Sequence, residues 1–411
     1  MPEAKDSKLL EKLQLKDFKL SSLLEVTNAI NENYSIQKLL SLYEYILREQ
    51  LGINRLALFN KDETWQCLIK FGVKGIEKKI NVEKDLYHIK DITVIESSSV
   101  SALDNFDIVI PIFHKSQPLA YLLIGDLEEN SIQISPTIKH MPFIQTLTNI
   151  IMVAIENKRF AKNAIEQERT KKELELAAVM QAMLYPKNLP SNNRIDASGL
   201  YESQRLVGGD YYDFVQLNNE EYFLCIADVS GKGMSAALLM SNFQANVQAL
   251  LRFHQQLTLS EFVKDLNETV MKTAQGEKFV TFFVGYYHCT KRILKYINAG
   301  HNPPVLTDGK TARLLDKGCI GLGMLKEIPA IEEELVAVES NSVIVCYTDG
   351  LVEMENEAGE PFEIERLTNL IHENYLLSMD ELNNLILNKL KEHKGDLPFL
   401  DDTALLSCRF L

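Results

Sequence analysis

One uninterrupted run constrains this chain most: NKRFAKNAIEQERTKKELELAAVMQAML, residues 157–184, holds no glycine or proline and mixes charges of both signs. Such a run suits a long helix that is either solvated or paired with a copy of itself. On either side of it, short β-rich segments mix with shorter helical ones. At 411 residues the chain exceeds what one core ordinarily organises, so two domains joined by a helix are expected. On a heptad register Ile165, Leu176, Val179 and Met183 share a seam with Arg169 and Lys172. The apolar members favour a parallel coiled coil, hence a homodimer through the linker helix, whereas the two cations suit a solvated helix; periodicity leaves both open. Pro186 and Pro190 end the run.

Upstream, residues 1–19 read as a charged helical lead-in, with Leu9, Leu10, Leu13 and Leu15 near helical spacing. SLLEVTNAINEN and SIQKLLSLYEYILREQLG are expected helices, the second capped by Ser35 and followed by Gly52. INRLALFN, TWQCLIKFGV, FDIVIPIFH and PLAYLLIGDL are expected strands, the last two joined in a hairpin by KSQ. A further helix starts near Pro136, with Ile144, Leu147, Ile151, Ala154 and Ile155 on one face. This order resembles a GAF domain over about residues 20–155, which implies an α/β sensor module with a small-molecule or protein ligand. Asn60, Lys61, Asp62 and Glu63 are contiguous, unlike the spaced polar residues of cyclic-nucleotide-binding members, and read as a turn.

The 43 basic and 57 acidic residues leave a net charge of -14, which repels nucleic acid and anionic lipid in the absence of a basic patch, and the sequence shows none. No apolar run approaches the ~20 residues of a membrane span. The expectation is a cytoplasmic protein without nucleic-acid or membrane partners. Cys67, Cys225, Cys289, Cys319, Cys346 and Cys408 form no CxxC pair and several sit in apolar runs, as buried free thiols do.

After Pro190, RIDASGLY, YYDFVQL, EYFLCIADV, FVTFFVGYYH, RILKYINAG, NSVIVCYTD and TALLSCRF read as strands. MSAALLMSNFQANVQALLRFH and EFVKDLNETVMKTA read as helices, the latter with Ser260 as its cap. Strands and helices mix without strict βαβ repetition, so the class is α+β. The organisation is a lead-in at 1–19, a GAF-like domain at 20–155, a helical linker at 156–189 and a second domain at 190–411.

Four acidic motifs each place an aspartate beside an apolar strand: VGGD at Asp210, IADVSGKG at Asp228, CYTDG at Asp349 and FLDDTALL at Asp401 and Asp402. Carboxylates held together resist ionisation unless cations neutralise them. An all-oxygen donor set without clustered Cys or His suits two hard divalent ions, Mn2+ or Mg2+, and such a pair ~4 Å apart activates water for phosphoryl transfer. Taken singly, each aspartate also fits a plain turn or cap.

Their joint order changes that reading. LYPKNLP, VGGDYYDF, IADVSGKGMSAALLM, FVTFFVGYY, NAGHNPP, GLG, YTDGLVE and DDTALL, in this sequence and spacing, resemble the SpoIIE/RsbU branch of the metal-dependent PPM protein phosphatases across residues 190–411. The resemblance implies an α-β-β-α sandwich with metals at one edge, held by Asp210, Asp228, the main-chain carbonyl of Val229, Asp349 and Asp401. It further implies a phosphoserine or phosphothreonine protein substrate of the anti-sigma-factor-antagonist kind, under control of the GAF-like domain. Gly208 and Gly209 would let the chain turn into Asp210, and Gly231 and Gly233 would open the next helix. Ser230 stands where many type 2C phosphatases carry a histidine, so a histidine general acid is lacking there.

Asp402, Arg205, Lys232 and His301 are further candidates around the site. NAGHNPP reads first as a shaped loop, and Lys232 suits either substrate phosphate or a solvated helix start. GGD also occurs in diguanylate cyclases, but GGDYYD lacks their continuation. A catalytically inactive partner-binding or ligand-sensing scaffold of the same fold is the alternative, and phosphatase activity separates the two.

Overall fold

The computed structural model describes residues 3–73, 75, 77–95, 102–114, 117–125, 136–253 and 257–411. They form two compact units, Met1–Glu168 and Arg169–Leu411.

In the first unit, α1 (Glu3–Asn31) absorbs both the lead-in and the first expected helix, because nothing between them breaks a helix. α2 (Ile36–Tyr45) starts at Ser35, whose hydroxyl accepts the Lys38 N–H, and ends in a π-turn before Gly52 at φ 70°. β1 (Arg55–Lys61), β2 (Trp65–Phe71), α3 (Val82–Asp85), β3 (Thr93–Val94), β4 (Ile108–His114) and β5 (Gln117–Gly125) lead to α4 (Pro136–Ala182). The sheet order is β2-β1-β5-β4-β3, with every pairing antiparallel. β4 and β5 form the expected hairpin, with His114 opposite Gln117; Lys115 and Ser116 of its turn lie outside the described residues.

The period-two pattern of the strands splits the core into two layers. Leu56, Leu58, Ile110 and Leu122 pack with Val26, Leu39 and Tyr43, and with Ile144, Leu147 and Ile151 of α4. Ala57, Phe59, Val109 and Tyr121 face Val82, Leu86 and Phe106 on the other side. Asn60 and Lys61, expected in the turn, instead continue β1 opposite Gln66 and Trp65, because buried Asn60 is satisfied there: it accepts from Arg159 Nη1 of α4 at 2.6 Å and donates to the Leu119 carbonyl at 3.0 Å.

Past this core, α4 carries Ile165, Leu176 and Val179 exposed, and i,i+4 pairs such as Arg169–Glu173 line it. Among the described residues no helix is long and apolar enough to cross a membrane.

The second unit continues from the end of α4 with β6 (Ile195–Glu202), β7 (Tyr211–Gln216), β8 (Glu221–Val229), α5 (Met234–Leu251), α6 (Leu259–Ala274), β9 (Val280–His288) and β10 (Ile293–Ala299). Next come β11 (Val305–Thr307), β12 (Ala312–Leu314), β13 (Gly318–Cys319), β14 (Glu334–Ala337) and β15 (Ser342–Tyr347), then α7 (Asp349–Val352), α8 (Ile364–Glu373), α9 (Met379–Lys394) and β16 (Thr403–Phe410). One sheet runs β13-β10-β9-β8-β7, with β14 on β10; the other runs β12-β11-β15-β16-β6.

Alternation along β16 shows how the layers stack. Ala404, Leu406, Cys408 and Phe410 point between the sheets, meeting Tyr212, Leu224, Ile226 and Phe283, whereas Leu405 faces α8 and α9. On the far side of the other sheet, Phe223, Cys225 and Phe282 pack against Met240 and Phe243 of α5 and Phe262 of α6. The result is helix, sheet, sheet, helix.

Ser260 is not the cap of α6. Thr258 is, in a capping box with Glu261, while the Ser260 hydroxyl donates to Glu333.

Candidate active site

Two sheets contribute carboxylates to one end of the sandwich. Asp210 immediately precedes β7 and Asp228 is next to last in β8; the pairing of Tyr211 with Ala227 sets them opposite each other. Asp349 opens α7 directly after β15, and Asp401 and Asp402 immediately precede β16, the neighbour of β15.

Thr348 ties the two groups together. Its buried hydroxyl accepts the Ala404 N–H at 2.8 Å and therefore gives its proton to Asp210 Oδ2 at 2.7 Å.

Electrostatics follow from this crowding. Burial, then the nearby Asp228 carboxylate, raises Asp210 well above the usual carboxylate range, with the Thr348 bond acting against it. Asp228 is raised by burial and then by Asp349, and Asp349 by burial and then by Asp401. Burial also raises Asp402, opposed by the N–H groups of Gln204 and Gly209, each 2.9 Å from one of its oxygens. Asp401 Oδ2 pairs with Lys232 Nζ at 2.8 Å.

Asp210, Asp401 and Asp402 thus have local protein partners, and among the described residues no three Asp, Glu, His or Cys side chains close into a finished metal cage. The donor set nonetheless fits hard divalent cations. It is all oxygen, and its members mutually oppose ionisation, a penalty that bound cations would remove.

The glycines are fixed by close approach. Gly208 and Gly209 are not in the positive-φ conformation of a tight turn. A Cβ on Gly208 would lie 2.0 Å from Asp402 Oδ2, and one on Gly209 would lie 2.9 Å from the Val229 carbonyl oxygen. Gly231 and Gly233 do take positive φ, and Gly233 caps α5.

The remaining candidates separate by contact. Ser230 is part of the loop scaffold: its hydroxyl accepts the Phe279 N–H at 2.9 Å and its carbonyl accepts Lys278 Nζ at 2.7 Å. His301 is buried, which lowers its imidazole to about 4 and keeps it neutral. With its Nε2–H donating to the Tyr347 carbonyl at 3.1 Å, Nδ1 accepts from Thr281 at 2.9 Å, so the ring braces β9 against β15. Arg205 is exposed, and its Nη1 lies beside Gly233.

Sequence reasoning missed three residues that hold Gly208 and Asp210. Gln181, near the end of α4, donates Nε2 to the Gly208 carbonyl at 2.7 Å and accepts the Gly208 N–H at 3.1 Å. Tyr185 donates its hydroxyl to the Asp210 carbonyl at 2.6 Å. Thr348 is the third. The one weak signal was an uncharged polar residue, Gln181, among the apolar residues of AAVMQAML.

This fold and acidic end are those of a PPM-type phosphatase domain. The SiaA-PP2C domain of Pseudomonas aeruginosa shares the fold, with a TM-score of 0.55 at 18% identity, covering 60% of this chain and 100% of that one. The family model described as Stage II sporulation protein E (SpoIIE) matches residues 218–411. Over 247 residues the chain is 30% identical to phosphoserine phosphatase RsbU of Bacillus subtilis (strain 168), covering 59% of this chain and 71% of RsbU. It is 26% identical over 190 residues to phosphoserine phosphatase RsbP of the same organism, covering 45% of this chain and 46% of RsbP. The chain belongs to the SpoIIE/RsbU family of PPM-type phosphatases.

Proposed function

We propose that this chain is a metal-dependent phosphatase acting on phosphoserine or phosphothreonine of a partner protein, of the anti-sigma-factor-antagonist kind. The observation that carries the reading is the meeting of Asp210 and Asp228 from one sheet with Asp349 and Asp401 from the other. In this reading those four side chains, with the Val229 carbonyl, hold two Mn2+ or Mg2+ ions. When bound, the ions supply an activated water and charge stabilisation for phosphoryl transfer. Thr348 keeps Asp210 oriented and favours its ionised form. Asp402, with both oxygens on backbone N–H groups, acts as a strut that fixes the approach of Gly209, while Asp401 exchanges its Lys232 partner for a cation.

Control is assigned to the GAF-like residues 20–155, acting through the helical linker within a homodimer. Gln181 and Tyr185 support this reading. They grip the main chain of Gly208 and Asp210, so a shift of the helix end would move a metal ligand.

The test is phosphate release from a phosphoserine peptide by the full chain with Mn2+, Mg2+ or excess chelator. Activity is expected only with metal, and Asp210→Asn, Asp228→Asn and Asp349→Asn should each retain less than about one hundredth of it with unchanged circular dichroism. Full turnover in chelator would overturn the reading, and a near-normal rate in one variant would remove that residue from the ligand set.

A further inference from the structure

Three segments border the acidic cluster, and they carry more than carboxylates. Residues 204–206, 232–238 and 400–402 are held together by short contacts. Lys232 Nζ reaches the Leu400 carbonyl at 2.6 Å and Asp401 at 2.8 Å, Gln204 Nε2 reaches the same carbonyl at 2.5 Å, and Arg205 Nη1 lies beside Gly233. On these segments Leu206 is 40%, Met234 40%, Leu238 64% and Leu400 41% exposed.

α5 shows that this exposure is not a loose fit. Ala236, Ala237, Leu239, Met240 and Phe243 bury one face completely or nearly so, leaving Met234 and Leu238 one turn apart on the other. Single exposed leucines are ordinary, but four large apolar side chains on segments that meet at one mouth are the pattern of an interaction surface.

We propose that this mouth is a docking rim for the protein substrate, with Leu206, Met234, Leu238 and Leu400 receiving apolar side chains that flank the phosphorylated residue. The inference rests on the phosphatase reading above and adds what the substrate must carry. Charge complementarity identifies the occupant. In a chain of net charge -14, exposed Arg205 and half-exposed Lys232 stand among these apolar groups, where a phosphate passing inward meets them. A helix advances 1.5 Å per residue, which puts Leu238 roughly 6 Å along α5 from Met234, with Lys232 two residues further back in the loop before the helix. An extended peptide spans about 3.3 Å per residue, so Leu238 meets a side chain about two to four positions from the phosphoserine.

The experiment compares three substrates on the full chain with saturating Mn2+: p-nitrophenyl phosphate, phosphoserine nonapeptides with leucine two to four positions to either side, and matching peptides with serine there. Wild type is expected to favour leucine peptides by about tenfold in kcat/KM, as partial burial of one leucine provides. Leu238→Ser should bring that preference within about twofold with p-nitrophenyl phosphate turnover unchanged, and Leu238→Met should keep most of it. Metal-dependent hydrolysis without any leucine preference, or a preference that survives Leu238→Ser, overturns the docking rim and leaves the phosphatase reading standing. Failure to hydrolyse every substrate with metal removes both. A Leu238→Ser chain that changes sedimentation coefficient while keeping the preference would assign this face to a second copy and overturn the proposal.

Discussion

Replacing Thr348 by valine removes one hydroxyl at nearly constant shape and strands the two groups bonded to it. The side chain is fully buried, so water does not take the place of its two hydrogen bonds. The Ala404 N–H would be left without an acceptor, which costs about 1–3 kcal/mol of folding stability. Asp210 would lose a donor that favours its charged form, a bond worth about 1.5–3 kcal/mol when the carboxylate is ionised. In metal-free protein that second loss is muted, because burial and Asp228 already hold Asp210 toward the neutral acid. It falls instead on the metal-bound state, where a ligand's supporting contact is typically worth 10–100-fold in affinity.

The sign with pH is set by the same bond. Thr348 lowers the Asp210 carboxyl, so its loss raises it further, and a proton then competes more strongly with metal. The deficit of Thr348→Val should therefore be largest at low pH and shrink as pH rises. Calorimetric Mn2+ titration between about pH 5 and 8, beside urea unfolding, measures both effects. Thr348→Ser keeps the hydroxyl and should restore metal affinity with only a small loss of stability. Affinity of Thr348→Val within about twofold of wild type at every pH, or serine behaving like valine, would refute the assignment.

Two further outcomes are expected. Because burial raises Asp210 in the metal-free fold, its contribution to stability is present below the unfolded value near 3.9 and lost as pH rises through the folded one. In chelator Asp210→Asn should therefore melt above wild type at pH 8 and close to it at pH 4; equal differences at both would contradict the crowding. Gln181→Ala removes both side-chain contacts to Gly208 and should lower Mn2+ affinity and kcat about tenfold. Unchanged metal titration and turnover would make the helix end a passive neighbour.

What the sequence disclosed was set by local periodicity. The strands of the second unit read as near-continuous apolar runs, and those runs survive folding because each sheet is covered on both faces, by its partner sheet and by helices. Ile144, Leu147, Ile151 and Ile155 likewise lie on the buried face of α4, as their spacing requires. Misreadings came where two local solutions were available. TLSE offered Thr258 and Ser260 as caps, and only the position of Glu261, three residues after Thr258, selects the first. Gly208 and Gly209 looked like turn residues, yet their need is set by Asp402 and Val229, the former nearly two hundred residues away. β6 pairs with β16 and Thr348 meets Asp210 through long-range contacts that no short window contains.

Those same long-range contacts set the spacing of the acidic end. Its carboxylates are split between two sheets, so their spacing depends on how the sheets register, not on either one alone. Thr348 bridges them through Asp210, and neutral His301 bridges them again from Thr281 to the Tyr347 carbonyl, next to Thr348 and Asp349. Gln181 and Tyr185 hold main-chain atoms of Gly208 and Asp210 that a displaced helix end would carry with it, and Tyr185 also stacks on Tyr201 of the other sheet at 4.7 Å. A pull there would strain Asp210 against Asp349 and Asp401, resisted by the Thr348 bond and the His301 brace that couple the two sheets. Metal sites are sensitive to ligand displacements of a fraction of an ångström, so if Asp210 holds metal as proposed, the two-point grip of Gln181 on Gly208 would make the end of α4 a place where movement converts into metal affinity.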